Sequence, residues 1–121
     1  SILFTRVLVN LIHNAALAVE KGRELAIWIH VRARLVDDLP FITFSVSDNG
    51  CGMTEQQQAT MWEQGISGFG SSGLGLAFVK QTVEAMDGSV ISESQPGKGT
   101  RFIIFLPEVV NHGTKDYDTF H

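Results

Sequence analysis

Phe41-Ile42-Thr43-Phe44-Ser45-Val46-Ser47-Asp48-Asn49-Gly50-Cys51-Gly52-Met53 reads as a strand that runs directly into a polar, glycine-spaced turn. Aromatic and β-branched residues fill the strand, and Asp48 closes it. Upstream, Leu25–Leu35 is a second strand-like run, and the turn residues Val36 to Pro40 between the two predict an antiparallel hairpin. Further back, Ile2 to about Lys21 reads as a helix ending at Gly22, with Leu8, Leu11, Ile12, Ala15, Ala18 and Val19 as its core-facing stripe. Downstream, Thr54 can cap a short helix of about Glu55–Glu63. After a glycine- and serine-rich segment, Gly65 to Gly73, the spacing of Leu76, Val79, Val83 and Met86 predicts a helix over about Leu74–Met86 that stops near Gly88. Ser89–Gln95 and Thr100–Leu106 make a second hairpin around Pro96-Gly97-Lys98-Gly99. Two hairpins and three helices point to an α+β domain, one sheet covered by helices on one face.

At 121 residues the chain fits one domain. Residues 1–107 are expected to form it, leaving 108–121 as a polar tail. Hydrophobic residues at 44% and charged residues at 18% are a globular balance. A formal charge of −4 argues against affinity for nucleic acid, yet leaves nucleotide binding open, because backbone amides and a metal ion can hold phosphates. Cys51, the only cysteine, rules out an intrachain disulfide and a thiolate metal cluster. No apolar run approaches the roughly 20 residues that cross a bilayer, so the expectation is a domain without direct membrane contact.

Four elements carry chemistry. Arg6, Asn10 and Asn14 recur every fourth residue and stack on one flank of the first helix. Neutral amides so placed can turn carbonyl oxygens toward a hard cation such as Mg²⁺, although solvated amides are the commoner outcome for this pattern alone. Asp48 can accept a hydrogen bond from the exocyclic amine of a base, and Gly50 and Gly52 let backbone pass close to a flat ligand. A plain turn explains that hexamer about as well. Gly68-Phe69-Gly70-Ser71-Ser72-Gly73-Leu74-Gly75-Leu76 leads into a helix and can present N–H groups to phosphates. It lacks the preceding strand of a dinucleotide fingerprint and the closing Gly-Lys-Ser/Thr of a Walker loop. Gly97-Lys98-Gly99-Thr100 alone would be only a hairpin turn.

In this order the four resemble the catalytic domain of sensor histidine kinases: an Asn-box helix, an Asp-x-Gly-x-Gly box, a Gly-x-Gly-Leu box and a closing Gly-x-Gly-Thr. The likeness spans about Leu3 to Pro107 and is especially close at Gly73–Lys80 and Gly97–Phe102. It implies a two-layer sandwich of the Bergerat type, with a mixed sheet under about three helices and an ATP site beneath a lid over about Thr54–Ser72. By the resemblance Asn14 would coordinate Mg²⁺ and Asn10 would assist near the phosphates. Asp48 would bind the adenine amine, with Gly50, Gly52 and Met53 beside the base and Thr100 supporting it. Gly70, Ser71, Ser72, Gly73, Leu74, Gly75 and Leu76 would face the phosphates. Such domains are cytoplasmic, often in membrane-anchored sensors. They pass the γ-phosphoryl of ATP to a histidine on a separate phosphoacceptor domain of the same protein, which serves a response regulator receiver domain.

Departures from the family pattern are specific. Met61-Trp62-Glu63-Gln64-Gly65 offers Trp62 as the first aromatic of the usual box, but no second aromatic and no arginine. Leu17 stands where a lysine often follows the metal-binding asparagine. Topoisomerase, mismatch-repair and heat-shock relatives of this site carry a glutamate where this chain has Asn10. A carboxylate there activates water and an amide cannot, so transfer to a supplied nucleophile is expected over hydrolysis. None of His13, His30, His112 and His121 has the setting of a phosphoacceptor. A serine kinase of the anti-sigma type and a nucleotide-binding module without catalysis are the competing readings.

Overall fold

The structure, a computed structural model, describes residues 2–63 and 74–108, with Leu74 by its backbone alone. Its elements are α1 (Ile2–Ala18), β1 (Ile27–Val36), β2 (Leu39–Asp48), α2 (Glu55–Thr60), α3 (Leu74–Ala85), β3 (Ser89–Ser94) and β4 (Thr100–Pro107). The strands lie in the order β1-β2-β4-β3. Every pairing is antiparallel, so the expected α+β layers are present but the described sheet is not mixed. Both hairpins supply adjacent antiparallel pairs, and the central β2–β4 pair joins one hairpin to the other without needing a parallel crossover.

Asp37 and Asp38 alone make the first turn, both with left-handed φ (52° and 64°), and Val36 pairs with Leu39. The five-residue connection expected from the sequence is therefore a two-residue hairpin turn, because aspartate tolerates the left-handed region that such turns require. Thr54 caps α2 as expected: its side chain accepts from the Gln57 N–H while the Gln57 side chain accepts from the Thr54 N–H. The helix stops at Thr60, short of Glu63. At the end of α3 the left-handed residue is Asp87 (φ 61°), and Gly88 donates to the Val83 carbonyl. Gly88 is required for space instead, since a Cβ there would meet the Phe105 carbonyl.

The core lies between the inner face of the sheet and the pair α1 and α3. Leu76, Val79 and Val83 are buried from α3, as the spacing predicts, against Val46, Phe102, Ile104 and Leu106 of the sheet. On α1 the buried residues are Phe4, Val7, Leu11, Asn14, Ala15 and Ala18. Ile12, expected inside, is exposed, and Leu8 and Val19 are only partly buried. Turning the stripe toward Phe4 and Val7 brings Asn14 into the buried face, where periodicity had placed it on a flank. Replacing Leu11 by Ala would cost about 2–5 kcal/mol at such a site.

Candidate nucleotide site

The end of the sheet where β2 stops and β4 starts is where the site residues gather. Asp48 and Thr100 are direct cross-strand partners there, and both are buried. Gly50 N–H donates to Asp48 Oδ1 at 2.8 Å. Burial pushes the Asp48 carboxyl above its usual 3.8, and the backbone N–H groups of Gly50 and Thr100 oppose that rise by stabilising the ionised form.

The turn after Asp48 is held from three sides. Cys51 N–H donates to the Ala18 carbonyl at 2.8 Å, so the end of α1 is satisfied by the turn rather than by a further helical residue. That contact explains why α1 ends at Ala18 and not at Lys21. Asn49 accepts from the Ala26 N–H at 2.9 Å and donates to the Glu24 carbonyl at 2.8 Å, tying the turn to the segment before β1. On the third side the β3–β4 hairpin donates Gly97 N–H to the Cys51 carbonyl at 2.6 Å. A Cβ on Gly50 would lie 2.8 Å from Ala18, and one on Gly52 (φ 74°) would collide with the Gln95 carbonyl. The bare faces of these two glycines are thus turned to α1 and to the hairpin. Close packing of backbone on backbone, rather than the approach of a ligand expected from sequence, demands them. Met53 is almost wholly buried and belongs to the core.

Asn14, on α1, reaches the same place from above. Together with Asp48, Met53, Leu76 and Thr100 it lines a narrow cavity of about 10 Å³. Asp48 and Thr100 also line a wider cleft of about 670 Å³ that opens at the end of the sheet toward Glu55, Gln58 and Lys98. Asn14 is 8% exposed, and its Nδ2 has no hydrogen-bond partner among the described residues. An unsatisfied buried amide normally costs about 1–3 kcal/mol. Its persistence in this wall marks an N–H donor that an oxygen of a bound group could use. No cluster of three or more His, Cys, Asp or Glu side chains that could hold a metal occurs among the described residues, so a cation here would need the Asn14 amide and oxygens brought by a ligand.

Asn10 sits one turn earlier on α1. Its Nδ2 donates to the Arg6 carbonyl at 2.9 Å, which turns Oδ1 toward the start of α3. A Cβ added at Gly75 would come within 3.0 Å of that oxygen. The Arg6 guanidinium lies over the Phe78 ring at 4.4 Å, so its charge is held against α3. Trp62 packs edge-on against Phe102, with ring centroids 5.8 Å apart. Of the remaining expected site residues, Leu76 is buried beside Asn14, whereas Gly70, Ser71, Ser72 and Gly73 and the side chain of Leu74 lie outside the described residues.

Sequence reasoning missed Asn49 and Ser94. Ser94 accepts from the Met53 N–H at 2.8 Å and touches Thr100 Oγ1 at 2.9 Å. Neither could be found from spacing, because each acts on residues distant in the chain. A signal did exist for Asn49, which shares the Asp-Asn-Gly turn.

The sequence matches the family described as "Histidine kinase-, DNA gyrase B-, and HSP90-like ATPase" over residues 1–110. It is 38% identical over 101 residues to the sensor histidine kinase DcuS of Escherichia coli K12, covering 81% of this chain. That match spans only 18% of the length of DcuS. Among solved structures, the mycobacterial sensor histidine kinase MprB superposes with a TM-score of 0.65 at 30% identity, covering 84% of this chain and 68% of that one. Full-length ShkA in complex with AMPPNP gives a TM-score of 0.69 at 28% identity, covering 87% of this chain and 21% of that one.

Proposed function

For a chain that belongs to the histidine kinase-, DNA gyrase B- and HSP90-like ATPase family, we propose the role of ATP-binding catalytic domain of a sensor histidine kinase. It transfers the γ-phosphoryl of ATP to a histidine on a separate phosphoacceptor domain of the same protein, which in turn serves a response regulator receiver domain. The observation that carries this reading is the convergence of Asn14, Asp48 and Thr100 on one cavity wall from three separate elements. Sensor kinases at 38% identity, and an AMPPNP complex among the structures of like fold, support it.

In this reading Asp48 accepts from the adenine amine, with its carboxylate held in place by Gly50 N–H. The unpartnered Nδ2 of Asn14 is free to donate to a phosphate oxygen, while its amide oxygen would be the atom to hold Mg²⁺, which when bound would offset phosphate charge. The start of α3, at Leu74, Gly75 and Leu76, turns N–H groups toward the phosphates. Gly70, Ser71, Ser72 and Gly73, which lie outside the described residues, are assigned to the phosphates on their sequence motif alone. Asn10 assists there through its carbonyl oxygen, and as an amide it cannot take a proton from water. Without such a base, positioning is most of what the domain contributes, and the nucleophile must come from elsewhere.

The deciding experiment mixes this chain with γ-labelled ATP, Mg²⁺ and a helical-hairpin domain bearing a phosphoacceptor histidine. Acid-labile label on the hairpin is the expected result. Acid-stable label on a protein substrate would make the chain a serine kinase. Nucleotide binding without transfer would leave it a binding module.

A further inference from the structure

Ser94 ends β3 on the inner face of the sheet, opposite Thr100. Three groups meet its single hydroxyl. The Met53 N–H donates to Oγ at 2.8 Å, the Gly99 carbonyl oxygen lies 2.8 Å away, and Thr100 Oγ1 lies 2.9 Å away. A carbonyl has no hydrogen, so two oxygens at that separation require the Ser94 proton between them. Ser94 has then no proton left for Thr100. The contact between the two hydroxyls must be closed by the Thr100 proton, directed at Ser94. What Thr100 Oγ1 keeps free is lone pairs only. Asp48, its neighbour across the strand pair, is likewise an acceptor when ionised, and both side chains line the same cleft.

We propose that Ser94 is a specificity-determining positioning residue: by engaging the Thr100 proton it makes the base-recognition corner acceptor-only, which selects a nucleobase presenting an exocyclic amine over one presenting a carbonyl. The inference rests on the nucleotide site proposed above and adds how the base is chosen. An amine has two hydrogens for two acceptors. A carbonyl in its place sets oxygen against oxygen, with no proton available to either. Removing the Ser94 hydroxyl frees the Thr100 proton to turn into the cleft and donate to such a carbonyl.

ATP and ITP, which carries a 6-oxo group in place of the amine, are the probes, with affinities measured by titration of the 121-residue chain. Wild type is expected to prefer ATP, and Ser94→Ala to lower the ATP-to-ITP affinity ratio about tenfold. Thr100→Val should lower the ratio as well, and adding Ser94→Ala to it should change the ratio no further. A purely structural role, acting through Met53 and Gly99, would weaken both nucleotides alike. An unchanged ratio in Ser94→Ala therefore overturns the inference. If circular dichroism shows that Ser94→Ala has not folded, Thr100→Val decides, and an unchanged ratio there overturns it too. Wild type binding ATP without preference over ITP removes the inference but leaves the nucleotide site standing. Wild type binding neither removes the nucleotide reading and the inference with it.

Discussion

At the Asp48 end of the site, side chains and backbone satisfy one another: Gly50 N–H meets Asp48, Ser94 joins Met53, Gly99 and Thr100, and Asn49 bridges Glu24 and Ala26. At the Asn14 end a buried amide nitrogen has no partner among the described residues, and Asn10 spends its Nδ2 on its own helix. One end is organised before any ligand arrives, whereas the other holds unused capacity. Preorganised polar groups add to stability as well as recognition. Unsatisfied ones are held at some expense to stability, which is where function and folding are expected to part.

The largest effect should come from breaking the organised end at its backbone. Gly52→Ala places a Cβ against the Gln95 carbonyl at a left-handed φ, and we expect a loss of about 3 kcal/mol or more in urea unfolding. Gly97, with a similar φ of +82° but nothing within 4 Å, is the control, and its Ala variant should lose only about 1 kcal/mol. Comparable losses would mean that φ alone, not the packing of turn on hairpin, sets the requirement.

Next, Asn14→Leu should separate the two properties. Affinity for Mg²⁺-ATP is expected to fall about a hundredfold, while the melting temperature rises because an unsatisfied buried amide has gone, a gain of about 1 kcal/mol. A lower melting temperature would show that Asn14 is satisfied in the free domain and that the two ends do not differ.

Asp48→Asn should weaken ATP about tenfold by replacing a charged acceptor with a neutral one. The same carboxylate predicts a pH dependence. Burial raises its pKa, so the acceptor is lost on acidification at a pH above the usual 3.8. ATP affinity should therefore fall as pH drops through that raised value, and the dependence should be absent from Asp48→Asn. Stability has the opposite sign. The folded state binds this proton more tightly than the unfolded chain, so the contribution is present below 3.8 and lost as pH rises through the raised value.

The smallest expected change is a gain. Asn10→Glu supplies a carboxylate at the phosphate end, and ATP hydrolysis measured by phosphate release should rise several-fold. No rise would mean that the amide is not what withholds hydrolysis.

Much of the fold was legible. Strand runs, the Thr54 cap, the α3 stripe and both hairpins follow from local periodicity and turn chemistry, and the structure moves their ends by a few residues at most. Asn14, Asp48 and Thr100 were named as site residues from spacing and resemblance, and the structure brings them to one cavity wall. The buried face of α1 was misread because Ile12 and Leu8 are as apolar as Phe4 and Val7, so periodicity alone could not set the rotation of the helix.

By itself, then, the sequence determined the elements, the chemistry available in each turn and the order of the site motifs, since these depend on neighbours within a few residues. Tertiary structure alone decided why Gly50 and Gly52 must be glycines, which way Asn14 faces, and that Ser94 directs the hydroxyl of Thr100. The bond from Met53 to Ser94 joins residues 41 apart, and its existence depends on how the hairpin docks on the turn. A proton's direction is set by all the acceptors around it at once, and those acceptors meet only when the chain has folded.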